Sequence, residues 1–347
     1  MKRLIALCAL LALLLSGCVL FFPPTPIPIL TQPPGSSDKL TVHYIDVGQA
    51  DCALVECGGE FLLIDGGNVG DSSLVVSYLQ KAGVKQLSAV VCSHAHEDHA
   101  GGLAGVLAVF PTAAVYAPTK TYSSSCFDDF LYYADQQRLS VTIPSAGDSF
   151  SLGTAQVHVL GPVKSYAETN DTSIVLRIDF GQNRFLFTGD MEVLAENDML
   201  DAGADVKVDV LKVGHHGSNT STGYRFLYEA APKYGVISVG AGNDYGHPHK
   251  EPLSRLRDAG VTLYRTDKMG TVVAVSDGKE ITFSWEHASA QPEIPEEIVT
   301  HYIGNKNSHV LHHPNCSGLP NEKNRVYFET VGEALDAGYD LCSQCMK

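Results

Sequence analysis

Between residues 39 and 287, short apolar runs alternate with turns and with stretches of helical spacing. LTVHYIDVG, CALVECGG, EFLLIDGG, LSAVVCSH, AAVYAP, AQVHVLGP, SIVLRIDFG, RFLFTGD, VDVLKVGHHG, YGVISVG, VTLYRT and GTVVAVSDG are rich in β-branched residues. Each is bounded by Gly, Pro, Asp or polar turns, the pattern of strands. Helical spacing predicts helices over 72–82, 103–109, 126–137, 192–202, 225–230 and 251–259. Strands outnumber helices and come at both hairpin-like and crossover-like spacings. The prediction is an α/β protein with two mixed sheets and outer helices, an αββα sandwich rather than a doubly wound parallel sheet.

The two ends differ from this body. Lys2 and Arg3 precede an apolar run over residues 4–15, closed by Leu15-Ser16-Gly17-Cys18. That run suits a secretory signal and is too short for a stable span. Its end resembles a lipobox, which makes residues 1–18 a lipoprotein signal peptide and Cys18 the lipidation site; the bland alternative is an ordinary signal peptide that contains a cysteine. FFPPTPIPILTQPPGSSDK follows, a proline-rich linker over 19–38. EHASAQPEIPEEIVT supplies a second linker over 288–300, and residues 301–347 form a small terminal unit. No run beyond residue 38 is long and apolar enough to cross a membrane.

With 24 Lys and Arg against 39 Asp and Glu, the net charge is −15. That balance excludes tight, salt-driven wrapping of nucleic acid by the whole protein, yet it permits phosphodiester chemistry at a metal site, where bound cations reverse the local sign. Cys8 leaves with the signal. Cys52, Cys57, Cys92 and Cys126 are scattered through the large domain, open between buried thiols and disulfides.

Chemistry is concentrated in SHAHEDHAGG, residues 93–102, where His94, His96, Asp98 and His99 form H-x-H-x-D-H directly after a strand. Imidazole and carboxylate are ligands of zinc, manganese and iron centres. On a tight turn, alternate residues can face one ion while an adjacent Asp-His pair reaches a second. A solvated polar loop is the competing reading, and four ligand-type side chains in six positions argue against it. Asp65, Asp190, His215 and His216 also close apolar strands, and GNDYGHPH adds His247 and His249. Singly each suits a cap or turn; together they predict a two-metal site with acid–base groups beside it.

H-x-H-x-D-H, then GD, then a later His resembles the metallo-β-lactamase fold hydrolases. YIDVGQADCALVE, LLIDGG, NDTSIVLRIDFG, FLFTGDM, DVLKVGHHGSNTST, VISVGAGNDYGHPH and YRTDKMGTV follow in the order of one branch, the extracellular metallo-β-lactamase-like domain of the competence protein ComEC. The resemblance spans nearly all of 40–285. It implies the αββα fold and a two-metal hydrolase acting outside the membrane on DNA. By position it implies His94 and His96 on one ion, Asp98 and His99 on the second, Asp190 bridging and His215 completing the second ion's shell. One departure stands out. Many relatives give the first ion another histidine from the segment VLGPVKSYAETNDTS, which here has none between Gly161 and Ser173; His158 sits inside a predicted strand. Asp171 (or Asn170) is the substitute ligand, set against a role in holding the loop.

Two zinc or manganese ions about 3.5–4 Å apart would activate water and polarise a phosphoryl oxygen. Asp98, His216 and His247 are the expected catalytic residues, the two histidines protonating the leaving oxygen or holding a non-bridging one. Ser218 and Asn219 could cradle a phosphate or simply form a turn and N-cap. Asp46, Asp51 and Asp65 are expected to orient the ligands from behind.

At the C-terminus, HVLHHPNC and LCSQC place His312, Cys316, Cys342 and Cys345 at the spacing of a closed tetrahedral zinc site, with a disulfide as the competing reading. So short a unit buries little core, and a structural zinc would stabilise it. The whole unit resembles the small Ada-type metal-binding domain, although the Ada protein uses four cysteines. His312 stands first here, with His309 and His313 as neighbours, so alkyl-acceptor chemistry is not implied. A fold element or nucleic-acid contact of α+β type is expected.

The leading expectation is a membrane-anchored extracellular hydrolase of phosphodiesters, DNA above all, with no obligate protein partner. One alternative is a small-molecule metallohydrolase opening a β-lactam, a thioester or a small phosphodiester. The other is a non-catalytic zinc lipoprotein that binds DNA or a partner. A nuclease needs Lys or Arg on its rim, and Lys120, Lys164 and Arg225 are the loop-borne candidates.

Overall fold

The computed structural model describes residues 39–294 and 301–346. The expected signal, Cys18, the first linker and residues 295–300 of the second lie outside the described residues. Eight strands form the first sheet, in the order Ile281–Trp285, Val272–Ser276, Leu40–Tyr44, Ala53–Cys57, Glu60–Ile64, Ala89–Val91, Val115–Tyr116, Val141–Thr142. Seven form the second: Thr262–Arg265, Tyr234–Ile237, Val210–Lys212, Asn183–Phe187, Val175–Phe180, Ala155–Gly161, Ser149–Leu152.

The burial of each strand follows its place. Leu40–Tyr44 and Ala155–Gly161 alternate between fully and partly buried positions, as strands with one face on a core do. Ala89–Val91 and Val210–Lys212 are buried throughout and sit centrally with parallel neighbours. Leu40, Val42, Tyr44 and Leu62 of the first sheet pack against Val157, Leu176, Ile178 and Phe185 of the second. Helices Ser72–Lys81, Leu103–Val109 and Ser125–Gln136 cover the outer face of the first sheet. Val193–Asp201, Tyr224–Ala230 and Lys250–Asp258 cover the second. The result is the predicted αββα sandwich, with the six expected helices found within two residues of their predicted bounds.

A third sheet, in the order Arg325–Phe328, Tyr302–Asn305, Val310–His312, Asp340–Leu341, carries the helix Val331–Asp336 and makes the C-terminal α+β unit. It docks on the larger body. Tyr224 joins Tyr302, Leu311, Val331 and Ala334 in one apolar cluster. His313 Nε2 lies 3.1 Å from Asp258 Oδ2, which also accepts from Tyr224 Oη at 3.3 Å. Part of the predicted second linker is pinned as well. Glu293 pairs antiparallel with Leu263 and binds Arg265 at 3.2 Å, because its backbone completes the open edge of the second sheet.

Cys52, Cys57, Cys92 and Cys126 are buried free thiols, which closes the alternative of disulfides. Among the described residues, no helix is long and apolar enough to cross a membrane.

Candidate metal centre

Five loops meet at one rim because the strands feeding them run parallel. Glu60–Ile64 pairs in parallel with Ala89–Val91, and Asn183–Phe187, Val210–Lys212 and Tyr234–Ile237 do the same in the second sheet. Their C-terminal ends therefore release Asp65, His94–His99, Asp190, His215–His216 and the 240–249 loop on the same side. The two glycines that end SHAHEDHAGG belong to this geometry. A Cβ on Gly102 would overlap the Gly66 carbonyl, and one on Gly101 would overlap the backbone of Val69. The turn after Asp65 lies directly against the motif.

Ligand atoms of Asp98, His99, Asp190 and His216 all lie within 4.8 Å of one another. His99 Nε2 and Asp190 Oδ1 are 3.2 Å apart and buried, yet neither has a hydrogen-bond partner. Two buried ligand atoms that face each other without a hydrogen bond suit a shared cation. Nearby, His94 Nε2 and His96 Nδ1 are 3.1 Å apart, and His94 Nε2 is 3.9 Å from Asp190 Oδ2. The donor set is imidazole and carboxylate, so the residues present fit zinc or manganese.

Hydrogen bonds from behind set which ring nitrogen faces inward. His216 Nδ1 lies 3.0 Å from the Ser238 carbonyl, an obligatory acceptor, so Nδ1 carries the proton and Nε2 offers its lone pair. His99 Nδ1 donates to Asp65 Oδ2 at 2.8 Å, with the same consequence. Asp65 also accepts from the Ser93 hydroxyl at 2.7 Å, leaving that oxygen to accept from His94 Nδ1 at 3.2 Å. One carboxylate thus orients ligands of both expected ions. Asp51 Oδ1 faces His216 Nδ1 at 3.2 Å and is itself clamped by Lys212 Nζ at 2.7 Å.

The charges follow from this packing. Burial opposes protonation of His216, but Asp190 and Asp51 outweigh it and raise its pKa to about 10. His99 is raised well above the usual range in the same way, against burial, by Asp190 and Asp65. Burial raises Asp98, yet His99 and the bond to His216 prevail and hold it at about 2. A nest of carboxylates demands positive charge: without cations, protons on His99 and His216 supply it, and a metal ion displaces them.

Several expected roles change. His216, not His215, sits in the four-residue group. Both residues have left-handed backbone, φ 51° and 50°, and the Ser238 and Asp51 contacts draw His216 inward. His215 stays at the rim, its Nε2 3.6 Å from Asp190 Oδ2. Asp171 does not reach the cluster as a ligand. Its Oδ1 accepts from Glu192 N at 3.0 Å and holds the loop after Asp190, so it takes the loop-holding role. Asp46 accepts from Gly48 N at 3.1 Å and shapes the turn before Gln49, away from the ligands. Ser218 is engaged within its own loop and Asn219 with the 240–249 loop: the Ser218 hydroxyl meets Thr220 Oγ1 at 3.0 Å, and Asn219 N donates to His249 Nδ1 at 3.1 Å. Lys164 and Arg225, two of the three expected rim cations, are paired with Asp198 and Asp201, each at 2.7 Å.

Reading the sequence alone passed over Lys212 and Ser93. Lys212 had a signal, a single lysine in the otherwise apolar VDVLKVG. Ser93 had none beyond its place before His94.

In the C-terminal unit, the ligand atoms of His312, Cys316, Cys342 and Cys345 also fall within 4.8 Å of one another. His312 Nδ1 and Cys316 Sγ are 3.4 Å apart. The spacing and softness of this set fit one tetrahedral zinc.

Residues 45–241 match the profile of the metallo-beta-lactamase superfamily. ComE operon protein 3 of Bacillus subtilis is 31% identical over 270 residues, 72% of this chain and 35% of that protein. Recombination protein 2 of Haemophilus influenzae is 32% identical over 223 residues, covering 62% of this chain and 26% of its own length. Competence protein ComA of Neisseria gonorrhoeae is 31% identical over 238 residues, 68% of this chain and 32% of that protein. The chain spans about a third of the length of these relatives or less. It belongs to the metallo-beta-lactamase superfamily, in the branch that resembles the ComEC-like competence proteins.

Proposed function

We propose that this metallo-β-lactamase-superfamily hydrolase cleaves phosphodiester bonds, with DNA as its substrate, at the outer face of a membrane to which Cys18 anchors it. The observation that carries the reading is the convergence of Asp98, His99, Asp190 and His216, with two buried ligand atoms left without a hydrogen bond. Relatives named for competence and for recombination support DNA as the polymer. The basic, apolar start of the chain and its Leu-Ser-Gly-Cys end support the anchor.

Divalent ions held there would acidify water and offset negative charge on a phosphoryl oxygen. The chain's own groups do the remainder. Asp65, Ser93 and Asp51 keep His94, His99 and His216 in the tautomer that presents Nε2. His247 is pushed down to about 4 by burial and by His215, His216 and His249. It is therefore neutral at pH 7, and its role is to hold a non-bridging oxygen by hydrogen bond.

Parent protein of measured metal content, incubated with linear and circular DNA with Mn²⁺ or Zn²⁺, should cleave, and the His96→Ala/Asp98→Ala variant should not. Nicking of the circle makes it an endonuclease. An intact substrate beside a metal-loaded parent would remove DNA cleavage and leave a small-molecule hydrolase.

A further inference from the structure

Two successive ring pairs, each near-parallel, link the metal cluster to an exposed tyrosine. His216 is 1% exposed and belongs to the cluster. The His247 ring lies 6.4 Å from it at 26°, and Tyr245 lies 5.7 Å beyond His247 at 25°. Tyr245 is 70% exposed, the most of any large hydrophobic side chain among the described residues. A ring placed for stability alone would be buried, since its transfer energy is lost in water. This one ends a stack that has room for another member.

The loop beneath it is held in place. Asn243 Oδ1 accepts from the backbone of Tyr245 at 3.1 Å and of His247 at 3.0 Å. Asn243 Nδ2 donates to the carbonyls of Gly240 at 2.9 Å and His247 at 2.7 Å. Gln49 ties the same loop to the other sheet, its Nε2 3.4 Å from His247 Nδ1 and its Oε1 accepting from Gly240 N at 3.1 Å. A loop held by Asn243 and Gln49 loses little entropy when a planar group settles on it.

Charge narrows the occupant. At a net −15, with Lys164 and Arg225 already paired to carboxylates, phosphate contacts give this protein little grip on a strand. Base stacking needs no cation and accepts every base. We infer that Tyr245 is a stacking platform for a nucleobase of single-stranded nucleic acid, seating the strand so that a phosphodiester reaches Asp98 and His216. The inference rests on the phosphodiesterase reading above, and binding tests it separately.

Full-length protein in detergent, loaded with Mn²⁺, would be titrated by fluorescence anisotropy with a labelled oligodeoxythymidylate joined by phosphorothioate linkages. The comparison strand is an abasic oligomer of equal length and linkage. The parent should prefer the base-bearing strand by about 5- to 150-fold for one stacked base. Tyr245→Ala should erase that preference, and Tyr245→Phe should keep it. Equal binding of the two strands by the parent, no binding of either, or a preference that survives Tyr245→Ala would overturn the platform. Failure of the nuclease reading looks different: unmodified DNA stays intact while the Tyr245-dependent preference persists, which upholds the platform as a binding site.

Discussion

Replacing Lys212 by Met should damage the protein twice, once in stability and once in metal affinity. Lys212 and Asp51 are 3% and 5% exposed, and Nζ and Oδ2 are 2.7 Å apart. Lys212 Nζ also donates to the Val213 carbonyl at 2.9 Å. Burial works against the Asp51 charge, but Lys212 and His216 overcome it and hold the carboxyl well below its usual range. Removing the ammonium leaves a buried carboxylate without its main partner, which costs about 3–5 kcal/mol. At about 2–4 °C per kcal/mol for a chain of a few hundred residues, Tm should fall on the order of 10 °C. Asp51 then loses the clamp that aims it at His216 Nδ1, and metal affinity should drop about 10- to 100-fold. Urea unfolding and metal titration of Lys212→Met, Asp51→Asn and the double variant test both effects. The double variant should be more stable than Lys212→Met, because it buries no unpaired charge. A single variant within about 0.5 kcal/mol of the parent would refute the clamp.

Other outcomes follow from neighbouring contacts. Asp65→Ala removes the acceptor that fixes His99 and, through Ser93, His94; metal titration should show about 10- to 100-fold weaker loading, and unchanged affinity would sink the shared-orienter argument. Glu196 is wholly buried, and burial raises its pKa to about 7 despite donors from Gly223 and Thr222. Its folded pKa lies above its unfolded one, so the stability it contributes is whole below about pH 4.3 and declines as pH rises to about 7, by about 3 kcal/mol. In the parent-minus-variant difference for Glu196→Gln, urea midpoints should show that slope, whatever the variant's constant offset; parallel pH profiles would contradict it. Cys342→Ser should lower bound zinc by one per chain and cost the body about 1–3 kcal/mol as Tyr224 loses apolar cover. Zinc counting beside thermal melts checks both, and an unchanged melt would mean the docking contributes no stability.

What could be read from the chain depended on whether a feature was local. H-x-H-x-D-H announced itself because ligand types crowded one turn, and the αββα layering showed in strand burial that period alone predicts. His215 and His216 were a different problem. Two successive left-handed residues follow neither the strand nor the helix period, so only the Ser238 carbonyl and Asp51, far away in sequence, decide which ring turns inward. Asp171 stays open in the sequence between ligand and loop-holder for the same reason: the partner that bears on it, the backbone of Glu192, lies twenty-one residues on.

The terminal unit carries the longest-range lesson. Its sequence promised a self-contained zinc module on a linker, and composition supported that, since a small core needs a metal. The contacts place it instead against the helix Lys250–Asp258, which has two duties. His249 just before its start and Arg255 in its last turn hold the 217–221 loop through Gly217, Asn219 and Ser221. At its end, Asp258 meets His313, the residue next to the zinc-ligand candidate His312. One helix therefore touches both the loop that follows His216 and the unit that holds the second candidate metal site. No pattern within either segment encodes that link, because it is made by side chains more than fifty residues apart. Two candidate metal sites that look independent in the sequence share one helix in the fold.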